Sequence, residues 1–304
     1  MNPHQLRSSL VGPIAFPVTP FRADLSLDVP GLTKNVKMLL EHPPAAIVAA
    51  GGTGELYSLT PAEHREVVAA VVAECGGRVP VIAGVGFNAA IGADLARDAA
   101  RLGASGILAF PPYYPQPDDD GLVEYYRAIG AATPLGLLIY SRDWFHPGAA
   151  LVQRLTAIPT LVAWKDGQGD IRRLQILMSR VGDRLCWIGG AGDDMVPAYY
   201  AAGIRAFTSS VSNVSPRVAR ALHEGAARGD SSIAPLMEEL IVPLYAMRGR
   251  RRGYEVTLMK DLMNLLGLAG GVVRPPLPRI SPEDLKELEA TVPRWKAVDA
   301  GAVV

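Results

Sequence analysis

Short runs of Val, Ile, Leu and Ala recur along the chain, and each is followed by a stretch with helix-compatible spacing of its apolar residues. The runs are G-P-I-A-F-P-V-T-P-F (12–21), A-A-I-V-A-A-G (45–51), V-P-V-I-A-G-V-G (79–86) and G-I-L-A-F-P (106–111). They continue with L-G-L-L-I-Y-S (135–141), L-V-A-W-K-D (161–166), L-C-W-I-G-G (185–190) and R-A-F-T-S-S (205–210). A strand with one wet face alternates apolar and polar residues. These brief runs do not, which predicts parallel strands covered on both faces. Between them lie helix-start signals. Thr60-Pro61-Ala62-Glu63 offers an N-cap, a proline at the first helical position and a glutamate at the third. Asn88 to Leu102 and Pro147 to Thr156 read similarly, with Gly103 placed to end the first of these.

Eight such units, at intervals of about 20 to 35 residues, predict an α/β fold of the single (β/α)8 TIM-barrel type. A doubly wound sheet is the alternative, weakened because no G-x-G-x-x-G follows the first run. After the eighth run the pattern changes. Helix-like segments fill Val214 to Arg252 and Glu255 to Leu268, a stiff loop follows at 270–278, and Ser281 to Val292 reads as a last capped helix. The expected organisation is therefore a barrel over 1–225 and a small C-terminal helical extension over 226–304.

Composition narrows the function classes. Lys+Arg and Asp+Glu are equal at 30 each, so net charge draws the protein toward neither nucleic acid nor an anionic membrane. The cluster Arg248, Arg250, Arg251 and Arg252 is local and reads as a solvated loop or interface patch. Cys75 and Cys186 form no C-x-x-C and the five histidines show no ligand spacing, so neither a disulfide framework nor a metal site is expected. No apolar window reaches about 18 residues, and Pro13 and Pro17 interrupt the first run. Neither a membrane span nor a signal peptide is expected, and a cytoplasmic location is.

In such a barrel chemistry sits where the strands end at their C-terminal side. The second run ends in G-G-T-G-E (51–55), where Gly52 lets backbone approach a ligand and Thr53 adds a hydroxyl. The fourth ends in F-P-P-Y-Y-P (110–115), the fifth in Y-S-R-D (140–143), the sixth in Lys165-Asp166-Gly167 and the eighth in Ser209-Ser210. Singly these are ambiguous: Lys165 could be ion-paired with Asp166 or Glu55, and Tyr140 could be packing. Together they predict a pocket. Lys165, desolvated by an apolar wall, keeps enough neutral amine to attack a ketone. Tyr140 shuttles protons. Arg142, the G-G-T loop and Ser209 hold carboxylates. Two other classes stay open: a metal-dependent barrel built on Glu55, Asp166, Asp170, Asp193 and Asp194, and a non-catalytic scaffold, against which Tyr140 and Lys165 together argue.

These motifs, in this order and over almost the whole chain, resemble the dihydrodipicolinate synthase/N-acetylneuraminate lyase superfamily. Y-S-R-D (140–143), W-K-D-G-Q-G-D (164–170) and F-T-S-S-V-S-N-V-S-P (207–216) are similar to its 5-dehydro-4-deoxyglucarate dehydratase branch. So is Gly52, where the synthase and lyase branches usually carry a hydroxyl residue. The chain departs from that branch at Ser141, typically Asn, at Trp164, typically Phe, and at Leu56-Tyr57, typically two Phe. The resemblance implies a Schiff-base enzyme without metal or organic cofactor, usually a homotetramer. Lys165 would be its nucleophile, Tyr140 its proton shuttle and Tyr114 the tyrosine lent to a neighbouring subunit. The implied reaction takes 5-dehydro-4-deoxy-D-glucarate to 2,5-dioxopentanoate, CO2 and water. A retro-aldol lyase for a 2-keto-3-deoxy sugar acid, or a condensing enzyme like dihydrodipicolinate synthase, is the alternative within the same chemistry.

Overall fold

The structure, a computed structural model, describes residues 1–299. Eight strands close into a parallel barrel in chain order: β1 (Gly12–Ala15), β2 (Ala46–Ala49), β3 (Val81–Val85), β4 (Gly106–Ala109), β5 (Gly136–Ser141), β6 (Leu161–Asp166), β7 (Cys186–Gly189) and β8 (Ala206–Ser209). Strand β1 pairs with both β2 and β8, so the sheet has no edge and the doubly wound alternative is excluded. Inward side chains, among them Ile14, Val48, Ile82, Leu108, Leu138 and Ile188, form one apolar cluster inside the barrel, while outward ones pack under the helices.

One irregularity decides where the candidate lysine points. Between β5 and β6 the register shifts, with Leu137 opposite Leu161 but Leu138 opposite Ala163. Val162 is the extra residue, and Val162 and Ala163 both join the interior cluster. Beyond this bulge Tyr140 stands opposite Lys165. Because side chains alternate between faces, a ladder without the extra residue would set Trp164 in the lysine's place.

The N-terminal end of the barrel is plugged by helix Pro3–Ser9, which the sequence reading passed over. Leu6 and Leu10 enter the interior cluster. Gly106 and Gly136 leave room for them, since a Cβ there would stand 2.5 and 2.8 Å from Leu6 Cδ2. Two of the three predicted starts form as capped helices: Thr60 and Glu63 make a capping box, Asn88 accepts from the Ile91 amide at 2.9 Å, and Gly103 follows with φ of 90°. The third helix begins at Ala149, behind Gly148 and without a side-chain cap.

Helix Pro216–Arg228 packs against β1 and spans the expected 225/226 division, so we draw the start of the extension behind Arg228. Helices Val242–Arg248, Tyr254–Leu265 and Pro282–Asp299 follow. The last does not stop at Val292 as expected. It runs through Pro293, which costs a helix about 3 kcal/mol, because Trp295 and Val298 beyond it are buried. Residues 300–304 of the expected extension lie outside the described residues.

The extension is stitched into the barrel. Lys260 forms a fully buried ion pair with Glu55 of the G-G-T-G-E loop and donates to the Val272 carbonyl at 2.8 Å. Arg274 donates to Glu63 at 2.6 Å and to the Ser58 carbonyl at 2.8 Å. Among the described residues no helix is long and apolar enough to cross a membrane.

Candidate active site

A cavity of about 550 Å³ opens at the C-terminal ends of the strands, where Thr53, Tyr140, Lys165 and Ser209 converge and where Arg248 and Leu277 of the extension form part of the wall. Lys165 is only 5% exposed. Its Nζ lies 3.2 Å from the centroid of the Tyr140 ring and 5.0 Å from that of Phe16. Neither ion pair that would make it structural is present. Asp166 accepts from the amides of Gln168 and Gly169 at 3.2 and 3.1 Å and from the Tyr199 hydroxyl at 2.8 Å. Glu55 is taken by Lys260. Burial pushes the Lys165 ammonium down from its ordinary 10.5 to about 8, helped by the Arg142 charge and opposed by Tyr140 and Asp166. At neutral pH it therefore carries far more free amine than an exposed lysine.

Tyr140 is the lysine's counterpart. Burial alone would raise its phenol. The charges of Lys165 and Arg142 and the hydrogen bonds around it outweigh burial, so the phenol lies below its ordinary value. Arg142 Nη1 donates to the Tyr140 hydroxyl at 3.0 Å. Arg142 and Tyr140 are thus one unit, and the guanidinium also lines the cavity.

Gly190 is required by the same packing. A Cβ there would stand 2.6 Å from both the Asp166 carbonyl oxygen and Lys165 Cγ. The two departures Ser141 and Trp164 also become intelligible. A buried indole needs an acceptor, and Trp164 Nε1 donates to Ser141 Oγ at 3.2 Å, which in turn donates to the Lys165 carbonyl at 3.3 Å. The pair works behind the lysine, on the outer face of the barrel wall.

The other expected residues divide. Gly52, Thr53 and Ser209 line the cavity. Their loop is closed by the Glu55 amide donating to the Gly52 carbonyl at 3.1 Å, while Ser209 Oγ accepts from the Ser212 amide at 3.0 Å. Tyr114 lies outside the cavity of its own chain and is 93% exposed. Sequence reasoning missed Tyr57, Tyr245, Glu255 and, above all, Arg248. Arg248 is 7% exposed and part of the cavity wall, which corrects its reading as a solvated patch residue. Helix Val242–Arg248 carries it inward, whereas Arg250 stays outside with Asp284 and Glu287. The carboxylates of the metal-dependent alternative are dispersed, and among the described residues no three His, Cys, Asp or Glu side chains form a metal-sized group.

Comparison with known proteins agrees with this arrangement. Residues 9–294 match the dihydrodipicolinate synthetase family. The chain belongs to that family. Among curated relatives, one from Saccharopolyspora erythraea is 39% identical over 94% of this chain and 94% of its own. Another, from Bradyrhizobium diazoefficiens, is 36% identical over 98% and 96%. Both bear the name probable 5-dehydro-4-deoxyglucarate dehydratase. Among solved structures, dihydrodipicolinate synthase from Oceanobacillus iheyensis superposes with a TM-score of 0.91 at 31% identity, over 97% of this chain and 100% of that one.

Proposed function

We propose that this chain is a 5-dehydro-4-deoxyglucarate dehydratase, a decarboxylating hydro-lyase that works through a Schiff base on Lys165. The observation that carries the reading is a buried lysine with no ion-pair partner among the described residues, set over a tyrosine whose hydroxyl accepts from an arginine. The names of the two relatives supply the substrate.

In this reading the neutral amine of Lys165 attacks the C5 ketone. Tyr140, steadied by Arg142, gives a proton to the carbinolamine oxygen so that water leaves and the iminium forms. The iminium makes the C4 hydrogen acidic. Its loss gives an enamine, whose electrons expel the C3 hydroxyl as water. The conjugated iminium that results accepts the electron pair released when the C1 carboxylate departs as CO2. Protonation and hydrolysis then free 2,5-dioxopentanoate and regenerate the amine. One electron sink serves both bond cleavages, so the residues need only hold the substrate, move protons and tolerate the cationic imine. Thr53 and Ser209, which line the cavity, would hold the substrate's oxygens, and the exposed Tyr114 would enter a neighbouring subunit's site in the expected homotetramer.

The test is reductive trapping. Incubation with 5-dehydro-4-deoxyglucarate and borohydride, with peptide mapping and a CO2 assay, is expected to give an adduct on Lys165 and CO2 release. An adduct with pyruvate released in place of CO2 would move the reaction to a retro-aldol lyase. Absence of any adduct would overturn the Schiff base.

A further inference from the structure

Arg248 is a buried cation whose hydrogen-bond partners are all neutral. Its Nε donates to the Glu255 carbonyl at 3.1 Å and its Nη2 to Ser210 Oγ at 3.2 Å. Its guanidinium carbon lies 4.4 Å from the centroid of the Tyr245 ring. Its Nη1 is buried and has no hydrogen-bond partner among the described residues. A guanidinium cannot shed its charge as a lysine can, and a buried charge that no anion hydrogen-bonds is costly.

Asp193 and Asp194 act on the guanidinium through space, but among the described residues neither hydrogen-bonds it, and Asp193 Oδ1 has no hydrogen-bond partner. Asp193 Oδ2 accepts from the amides of Ser210 and Val211 at 3.0 and 3.2 Å and from the Tyr245 hydroxyl at 2.7 Å. Burial moreover pushes the Asp193 carboxyl upward, toward its neutral form. Glu255 accepts from the Gly253 amide at 3.0 Å. Two other cations line the cavity. Arg142 serves Tyr140 and Asp143, and Lys165 reacts as a free amine.

We infer that Arg248 is the specificity-determining residue that receives the carboxylate at the end of the substrate remote from the ketone. The inference rests on the dehydratase reading and sharpens it. Ser210 and Tyr245 hold the guanidinium in place, Asp193 fixes both of them, and the spare Nη1 donor awaits an anion. A charge-assisted hydrogen bond inside a cavity is among the stronger polar contacts a ligand can gain. A keto acid that ends in a methyl group would leave Arg248 without a hydrogen-bonded anion, so the wall selects for diacids.

The experiment compares two six-carbon keto acids that differ only at the far end, 2-oxoadipate and 2-oxohexanoate, by borohydride trapping on wild type, Arg248→Gln and Arg248→Lys. Arg248→Gln is expected to raise the half-saturating 2-oxoadipate concentration about 10- to 100-fold and to leave 2-oxohexanoate within about twofold. Arg248→Lys, which keeps the charge and loses the fork, is expected to fall between. Unchanged 2-oxoadipate trapping in Arg248→Gln, or parallel loss of both keto acids in both variants, would overturn the assignment. A wild type trapped by neither keto acid would overturn the Schiff base and this assignment with it. A wild type that is trapped, beside an indifferent Arg248→Gln, overturns the assignment alone.

Discussion

Replacing Lys165 with methionine keeps the length and most of the volume of the side chain and removes the buried charge. The fall of Lys165 from 10.5 to about 8 is equivalent to about 3 kcal/mol of folding free energy at pH 7. The folded-state value lies below that of the unfolded chain, so the unfolded chain holds the proton more tightly. The penalty is therefore full below pH 8 and fades as pH climbs toward 10.5. That fall is already net of the opposing contact with Tyr140. Lys165→Met should be more stable than wild type by about 3 kcal/mol at pH 7, with the difference shrinking toward pH 10. Urea unfolding of both proteins, followed by tryptophan fluorescence at several pH values, reads this directly. A variant no more stable than wild type at pH 7, or a gap that ignores pH, would refute the claim that burial strains this lysine. The same variant should turn over nothing, which makes the instability part of the function.

Tyr140→Phe should slow turnover by about 10²- to 10⁴-fold, as measured by steady-state assay. Because Tyr140 raises the Lys165 value, the pH midpoint of adduct formation should also move downward in that variant; an unmoved midpoint would separate the two groups. Gly190→Ala drives a methyl group against Lys165 Cγ, and misplacing the amine by about 1 Å should cost about 10²-fold in trapping rate. Wild-type trapping in that variant would show that the lysine has room to spare.

The barrel was legible because its signal is repetitive. Each strand is a short apolar run with no alternation, and eight helix-compatible stretches follow them. The reactive pair was legible for a related reason, since Tyr140 and Lys165 are polar ends of such runs. What escaped depends on contacts between distant residues. Arg248 stands among arginines that face solvent, and only the packing of its helix over Ser210 and Tyr245 turns it inward. The pairing of Glu55 with Lys260 has no local trace. The bulge at Val162 is likewise invisible, because Val162 and Ala163 suit either face of a strand. Helix Pro3–Ser9, by contrast, did carry a readable signal in Asn2, Pro3 and Gln5, which form a capping box.

The ion pair beneath the G-G-T-G-E loop also bears on how the protein is made. Glu55 leaves the ribosome long before its partners, with 219 positions separating it from Arg274. At about 5 to 20 residues per second, that gap lasts roughly 10 to 40 s. Throughout it the nascent barrel must either keep this loop in water or enclose a lone carboxylate. The loop closes over its charge only when the last fifth of the chain arrives, which also delivers Arg248. Vectorial synthesis would thus leave the cavity open until the segment that carries Arg248 is present.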